Sequence, residues 1–160
     1  MVKRYIANIA EFQLDQGLVT AVVGNLLSHP PEPSFLSNEE YHGFNLITVG
    51  AALHHFPSAE DAVKILAARL KPGGVLYIQD LFTSEKEQGV DGAMIPVSKT
   101  PPGFTEGEIK RILETSGLVD FNFEVLHGDL MIEMPNEEIL KIRCFLARAM
   151  KPEAEASEVF

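Results

Sequence analysis

The chain is short of basic residues, of cysteine and of long apolar runs. Its 160 residues carry 13 Lys+Arg against 23 Asp+Glu, a formal net charge of −10. Nucleic acid and anionic membrane surfaces are bound mainly through Lys and Arg, so this balance argues against both as partners. The single cysteine, Cys144, excludes an intramolecular disulfide and a zinc site built on several thiolates. The longest apolar run, Leu46 to Leu53, is about eight residues and includes Thr48 and Gly50, whereas a spanning helix needs about twenty. Lys3 and Arg4 are followed by no apolar stretch of the kind a signal peptide needs. The expectation is a soluble protein of a reducing compartment, placed in the cytoplasm.

What is present is an ordinary globular composition, 46% apolar, at a length that suits one domain. A complete seven-strand doubly wound domain needs more chain than this, at roughly 30 residues per βαβ unit.

Periodicity sets out the elements. Val2, Tyr5, Ile6, Ile9 and Phe12 recur at helical spacing and predict a helix over 2–13. The β-branched run Leu18 to Val23 (LVTAVV) predicts a buried strand, with Gly24 and Asn25 at its C-terminal end. The prolines of His29–Pro33 (HPPEP) make 28–43 a loop, with a helical turn near Ser37–Tyr41. Phe44–Val49 (FNLITV) is the next strand, closed by Gly50 and Ala51. Ser58 with Asp61 is a capping box for a helix carrying Ala59, Ala62, Val63, Leu66, Ala67 and Leu70, with Lys71 in its last turn. Pro72-Gly73-Gly74 stops it, and Val75–Ile78 (VLYI) is a third strand ending at Gln79 and Asp80. Residues 83–103 are long, polar and rich in Gly and Pro, a loop of the functional or mobile kind. Thr105 with Glu108 caps a second helix, ended by Ser116-Gly117, and Phe121–Leu126 reads as a strand. The stretch 138–149 fits a helix by Ile139, Ile142, Phe145 and Leu146, and fits a strand by IRCFLA. An acidic tail closes the chain.

Strands alternating with helices predict an open α/β sheet of about five strands with helices on both faces. Such sheets bind ligands outside the C-terminal ends of their strands, which selects Gly24–Asn25, Gly50–His55 and Asp80.

The run FNLITVGAALHHFPSAEDAVKILAARLKPGGVLYIQDL, followed by GFTEGEIKRILETSGL and FLARAMKP, resembles the class I S-adenosylmethionine-dependent methyltransferases. The resemblance implies a Rossmann-like sheet over residues 1–152, with 153–160 as an acidic tail. It implies S-adenosylmethionine as cofactor. Asn25 matches a position that meets the adenine amino group, and Leu26 one that flanks the ring. Gly50 and Ala51 match the backbone turn near the methionyl group, and His55 a residue facing sulfonium and substrate. MVKRYIANIAEF resembles the helix after the family's second strand. The chain thus resembles a domain lacking the family's Gly-rich turn and ribose-binding acid, and its twelve glycines include no G-x-G pair. In the family's sheet two strands lie between those matching LVTAVV and FNLITV. Two repairs follow: direct pairing of LVTAVV with FNLITV, or a homodimer covering the open sheet edge, which is the expected one.

His54 and His55 are the sharpest chemical pair. One acts as a base on a substrate hydroxyl, or one packs under the helix while the other caps it. Asp80 meets substrate at the sheet mouth or caps the next turn. His29, His42 and His127 fall in loops, and no metal site is expected from them. Met94, Met131, Met134 and Met150 line an adaptable pocket or fill core gaps. Three functions remain: a small-molecule methyltransferase, a non-catalytic binding module of the same fold, or a cofactor-independent isomerase or cyclase in the same pocket.

Overall fold

A computed structural model describes residues 2–13, 15, 19–84, 103–133 and 139–154. The expectations for the core of the 83–103 loop, for Leu18, Met94 and Met134, and for the last six residues of the tail lie outside these. The chain divides into two compact units, Met1–Asn38 and Glu39–Phe160.

In the first unit the helical spacing holds as α1 (Val2–Glu11). Ile9 is its one buried residue, and Tyr5, Ile6 and Phe12 are half or more exposed. Residues 19–24 form no strand, which corrects the LVTAVV expectation and removes its proposed pairing with FNLITV. Val22 and Val23 are exposed. β-branched residues favour strands only where a ladder partner and a covered face exist. The local pairing is instead a two-way backbone bridge between Asn25 and Glu32. A 3-10 turn at Ser34–Ser37 follows.

The second unit opens with a 3-10 turn at Glu39–Tyr41, near the helical turn expected there. It then runs β1 (Phe44–Gly50), a 3-10 turn at Leu53–His55, α2 (Ala59–Arg69), β2 (Leu70–Leu81), α3 (Glu106–Thr115), β3 (Val119–Val125), β4 (Leu130–Glu133), β5 (Ile139–Ile142) and β6 (Cys144–Met150). One sheet has the order β1-β2-β6-β3, and β4 pairs with β5 in a separate ribbon. β1 and β2 are parallel, and β6 runs antiparallel to both β2 and β3. The open α/β sheet holds, and among the described residues it has four strands with a further two-stranded ribbon.

Local chemistry explains the helix ends. Ser58 Oγ accepts from Asp61 N at 3.1 Å and starts α2. α2 stops two residues earlier than expected because Leu70 already pairs with Phe44. Lys71 therefore belongs to β2, and a cation from elsewhere serves the helix C-terminus. Lys151 Nζ donates to Leu70 O at 2.7 Å and to Ala68 O at 3.4 Å. Thr105 and Glu108 form a complete capping box on α3. Gly117, at φ 80°, closes that helix with Leu118 N donating to Leu113 O and Gly117 N to Glu114 O, a Schellman arrangement.

The ambiguous stretch resolves as strand. β6 inserts between β2 and β3, and its burial alternates from Phe145 to Ala149. Opposed residues share a face of a sheet. On one face Leu76, Ile78, Ala147 and Ala149 are 0–1% exposed. Val63 of α2 and Ile109 and Leu113 of α3 are buried with them, α2 lying on β2 and α3 on β3.

Candidate functional site

The site lies at the C-terminal ends of the parallel pair. β1 ends at Gly50 and β2 at Asp80–Leu81, so both chains leave the sheet on one edge. Ala51 takes φ 47°, a left-handed conformation that an alanine adopts at a cost of about 1–2 kcal/mol. Its N–H donates to Gln79 O at 2.8 Å, which ties the turn to β2. The turn carries the chain into Leu53–His55, and Leu53 is fully buried.

Asp80 organises this turn. It is fully buried and accepts four hydrogen bonds. Oδ2 accepts from Leu53 N at 2.7 Å and from His54 N at 3.3 Å. Oδ1 accepts from Leu81 N at 2.7 Å and meets His54 Nδ1 at 2.5 Å. A buried carboxylate needs such a set, because desolvation without partners costs several kcal/mol. The bond to Oδ1 places the proton of a neutral imidazole on Nδ1 and leaves Nε2 as the acceptor. The His54 side chain is 6% exposed. His55 is exposed, and its ring centre lies 3.9 Å from that of His54.

The structure thus brings His54, His55 and Asp80 together with the Gly50–Ala51 turn. Asp80 binds the turn before the helix rather than capping one after the strand. Gly50 is exposed, and among the described residues a Cβ there meets nothing within 4 Å. Asn25 and Leu26 belong to the first unit. Asn25 Oδ1 accepts from Leu27 N at 3.0 Å, an Asx turn that occupies one of its two acceptor positions. Leu26 is half-buried.

Sequence reading missed the aromatic wall beside Asp80. Phe145 pairs with Asp80 across the strands and is fully buried. Phe123 stacks on it at 4.9 Å, Phe104 meets it edge-on at 6.5 Å, and Phe82 lies 6.0 Å from Phe123. Arg143 sits 4.9 Å over the Phe82 ring. These residues come from four separate segments, and no local pattern links them. Gly103 lets the incoming strand-like segment approach β2, since a Cβ there would stand 2.7 Å from Leu81 O. Phe104 N then donates to Leu81 O at 2.9 Å.

Cys144 pairs with Leu81 and is 9% exposed. Burial first, then the nearby Asp80 carboxylate, push its thiol above the ordinary value. That suits an inert thiol rather than a nucleophile. Among the described residues no three His, Cys, Asp or Glu side chains are grouped to hold a metal. No described helix is long and apolar enough to cross a membrane.

Comparison with known proteins adds the family. No curated protein matches the chain. The YcgJ protein from Bacillus subtilis superposes with a TM-score of 0.62 at 16% identity, over 96% of this chain and 79% of its own. An O-methyltransferase family protein from Burkholderia thailandensis superposes with a TM-score of 0.60 at 16% identity, over 94% of this chain and 41% of its own. This chain therefore spans most of the first relative and less than half of the second, and at these identities both likenesses speak for the fold. Residues 8–122 match the family model of a methyltransferase domain. That match takes in most of the chain, including the strand ends that carry His54 and Asp80, and the chain belongs to the methyltransferase domain family.

Proposed function

We propose that this protein is an S-adenosylmethionine-dependent methyltransferase acting on a small molecule. The observation that carries the reading is the buried Asp80–His54 pair at the C-terminal edge of the parallel strands. Ligands of open α/β sheets bind at that edge.

The residues of the second unit fit one end of the cofactor: the exposed Gly50–Ala51 turn has space for the methionyl group. When bound, the cofactor supplies an electrophilic methyl on a sulfonium. The chain's residues do the rest. Asp80 fixes the His54 ring, His54 Nε2 takes the proton of a substrate hydroxyl, and His55 positions the substrate beside it. In-line placement supplies most of the acceleration in such a transfer. The charge of −10 favours a small molecule over nucleic acid or a membrane surface.

A second reading, a non-catalytic binding module, draws support from one observation: the Asn25 amide oxygen is already engaged by Leu27 N. Thermal unfolding separates the two. With S-adenosylmethionine or S-adenosylhomocysteine at about 1 mM, mass action raises Tm if either binds. No shift with either overturns the methyltransferase reading. Where the cofactor binds, His54→Ala lowers turnover by about 100-fold or more if His54 is the base, and unchanged turnover removes that role.

A further inference from the structure

Two residues beyond Asp80, on the same face of the sheet, a cation is held over an aromatic ring. Asp80 pairs with Phe145 and Leu81 with Cys144, and the ladder continues one step further, with Phe82 N donating to Arg143 O at 2.9 Å. Side chains alternate along a strand, so Phe82 and Arg143 share the face of Asp80 and Phe145. The rings agree, since Phe82 lies 6.0 Å from Phe123, which stacks on Phe145. Arg143, just before β6, reaches across and sets its guanidinium 4.9 Å over the Phe82 ring. The Asp80 and Phe82 rows are about 7 Å apart along the strands.

Resting on the methyltransferase reading of this edge, we infer that Arg143 binds a carboxylate of the methyl acceptor, and that the acceptor is a hydroxylated aromatic acid. Stacking on Phe82 uses a face of the guanidinium. Its five donors lie in the plane of the group, enough for a two-point contact with a carboxylate alongside the other contacts it makes. The charges on either side fix which way round the acceptor lies. At the other end of the site a carboxylate would meet the buried Asp80 charge of its own sign. It would also meet His54 Nε2 as an acceptor, to which only a hydroxyl can donate. The acceptor therefore turns its hydroxyl to His54 and its carboxylate to Arg143. Aromatic side chains surround the space between them: Phe82, Phe104 and Phe123 are half-buried, and such a wall suits a flat ring. One benzene ring with hydroxyl and carboxylate in para positions spans about the distance between the two rows. A monoanion suits one guanidinium beside a buried carboxylate better than a phosphate dianion does.

NMR titration of the full chain with para-hydroxybenzoate, phenol and inorganic phosphate, each up to about 20 mM, tests this. Para-hydroxybenzoate binds at least about tenfold tighter than phenol, with the largest shifts at His54, Phe82 and Arg143. Arg143→Met keeps an apolar stem on Phe82 and removes the fork, and the two aromatic ligands then bind alike. Arg143→Lys keeps the charge without the fork and recovers part of the preference. Thermal unfolding checks the fold of both variants, and where the Met variant is destabilised the Lys variant carries the comparison. Equal binding of para-hydroxybenzoate and phenol by the wild type overturns the proposal. So does a preference that survives Arg143→Met. So does phosphate binding with the same shifts and affinity, which makes Arg143 a general anion contact. The titration needs no cofactor and is read separately from the cofactor test. A carboxylate preference lost in Arg143→Met, with no Tm shift from S-adenosylmethionine, keeps the carboxylate site and removes methyl transfer.

Discussion

Asp80 Oδ1 and His54 Nδ1 stand 2.5 Å apart although 26 residues separate them in the chain. The contact exists because β1 and β2 run parallel in a fixed register, with Gly50 beside Gln79. That register sets the turn after β1 directly over the side chain of Asp80. The same carboxylate receives the Leu53 and His54 amides, so it holds both the backbone and the ring.

Replacing Asp80 tests this clamp. Asp80→Ala leaves four buried or partly buried donors without their acceptor. An unsatisfied buried donor costs about 1–3 kcal/mol, so a loss of at least about 3 kcal/mol is expected by urea unfolding. Asp80→Asn keeps one oxygen and loses less, and its His54 ring no longer has a charged partner at Nδ1. The ¹⁵N shifts of the imidazole should then report a mixed tautomer. An Asp80→Ala protein as stable as wild type would sink the clamp.

Ala51→Gly should be neutral to stabilising. The left-handed φ of 47° penalises alanine by about 1–2 kcal/mol, while glycine adds about 0.5–1 kcal/mol of unfolded-state entropy. The strain exceeds the entropy, so a gain of about 0.5 kcal/mol is expected in the urea midpoint. A clear destabilisation would mean that the methyl makes contacts that outweigh the strain.

Cys144 should resist a thiol reagent in the native protein at pH 8 and react fully in denaturant. Burial and the Asp80 charge raise its folded value above 9.0, so the folded state retains the proton longer than the unfolded state does. The stabilisation from this site is full below the ordinary thiol value and is lost as pH rises towards the folded value. Fast native labelling at pH 8 would contradict the burial.

Thr105→Ala removes one half of the capping box on α3 and should cost about 1 kcal/mol. Thr105→Ser should recover most of it, because the hydroxyl is what accepts from Glu108 N at 3.2 Å. Equal Tm values for the two variants would show that the methyl, not the hydroxyl, matters there.

Much of the fold was legible before any coordinates. The capping residues Ser58 and Thr105, the Gly117 stop and the strands around Phe44–Val49 and Val75–Ile78 follow from local chemistry that acts within four residues. The strand ends named Gly24–Asn25, Gly50–His55 and Asp80 as one edge, because ligand edges follow from the α/β alternation; Gly50, Ala51, His54, His55 and Asp80 do lie at the ends of β1 and β2, whereas Gly24–Asn25 end no strand. What failed were the places where an environment, not a propensity, decides. LVTAVV carries strand residues without a ladder, and β6 carries a helical spacing inside a sheet.

The sequence by itself determined the helix caps, the alternation of elements, the acidic surface and the edge at which chemistry gathers. Each rests on interactions between near neighbours or on composition. The tertiary structure alone decided that Asp80 grips His54, that Lys151 rather than Lys71 serves the end of α2, and that Phe82, Phe104, Phe123 and Phe145 form one wall. It also decided that β2 and β6 bury Leu76, Ile78, Ala147 and Ala149 on one face. These depend on strand order and register, which bring residues from distant segments within a few ångströms, and no short-range pattern encodes that meeting.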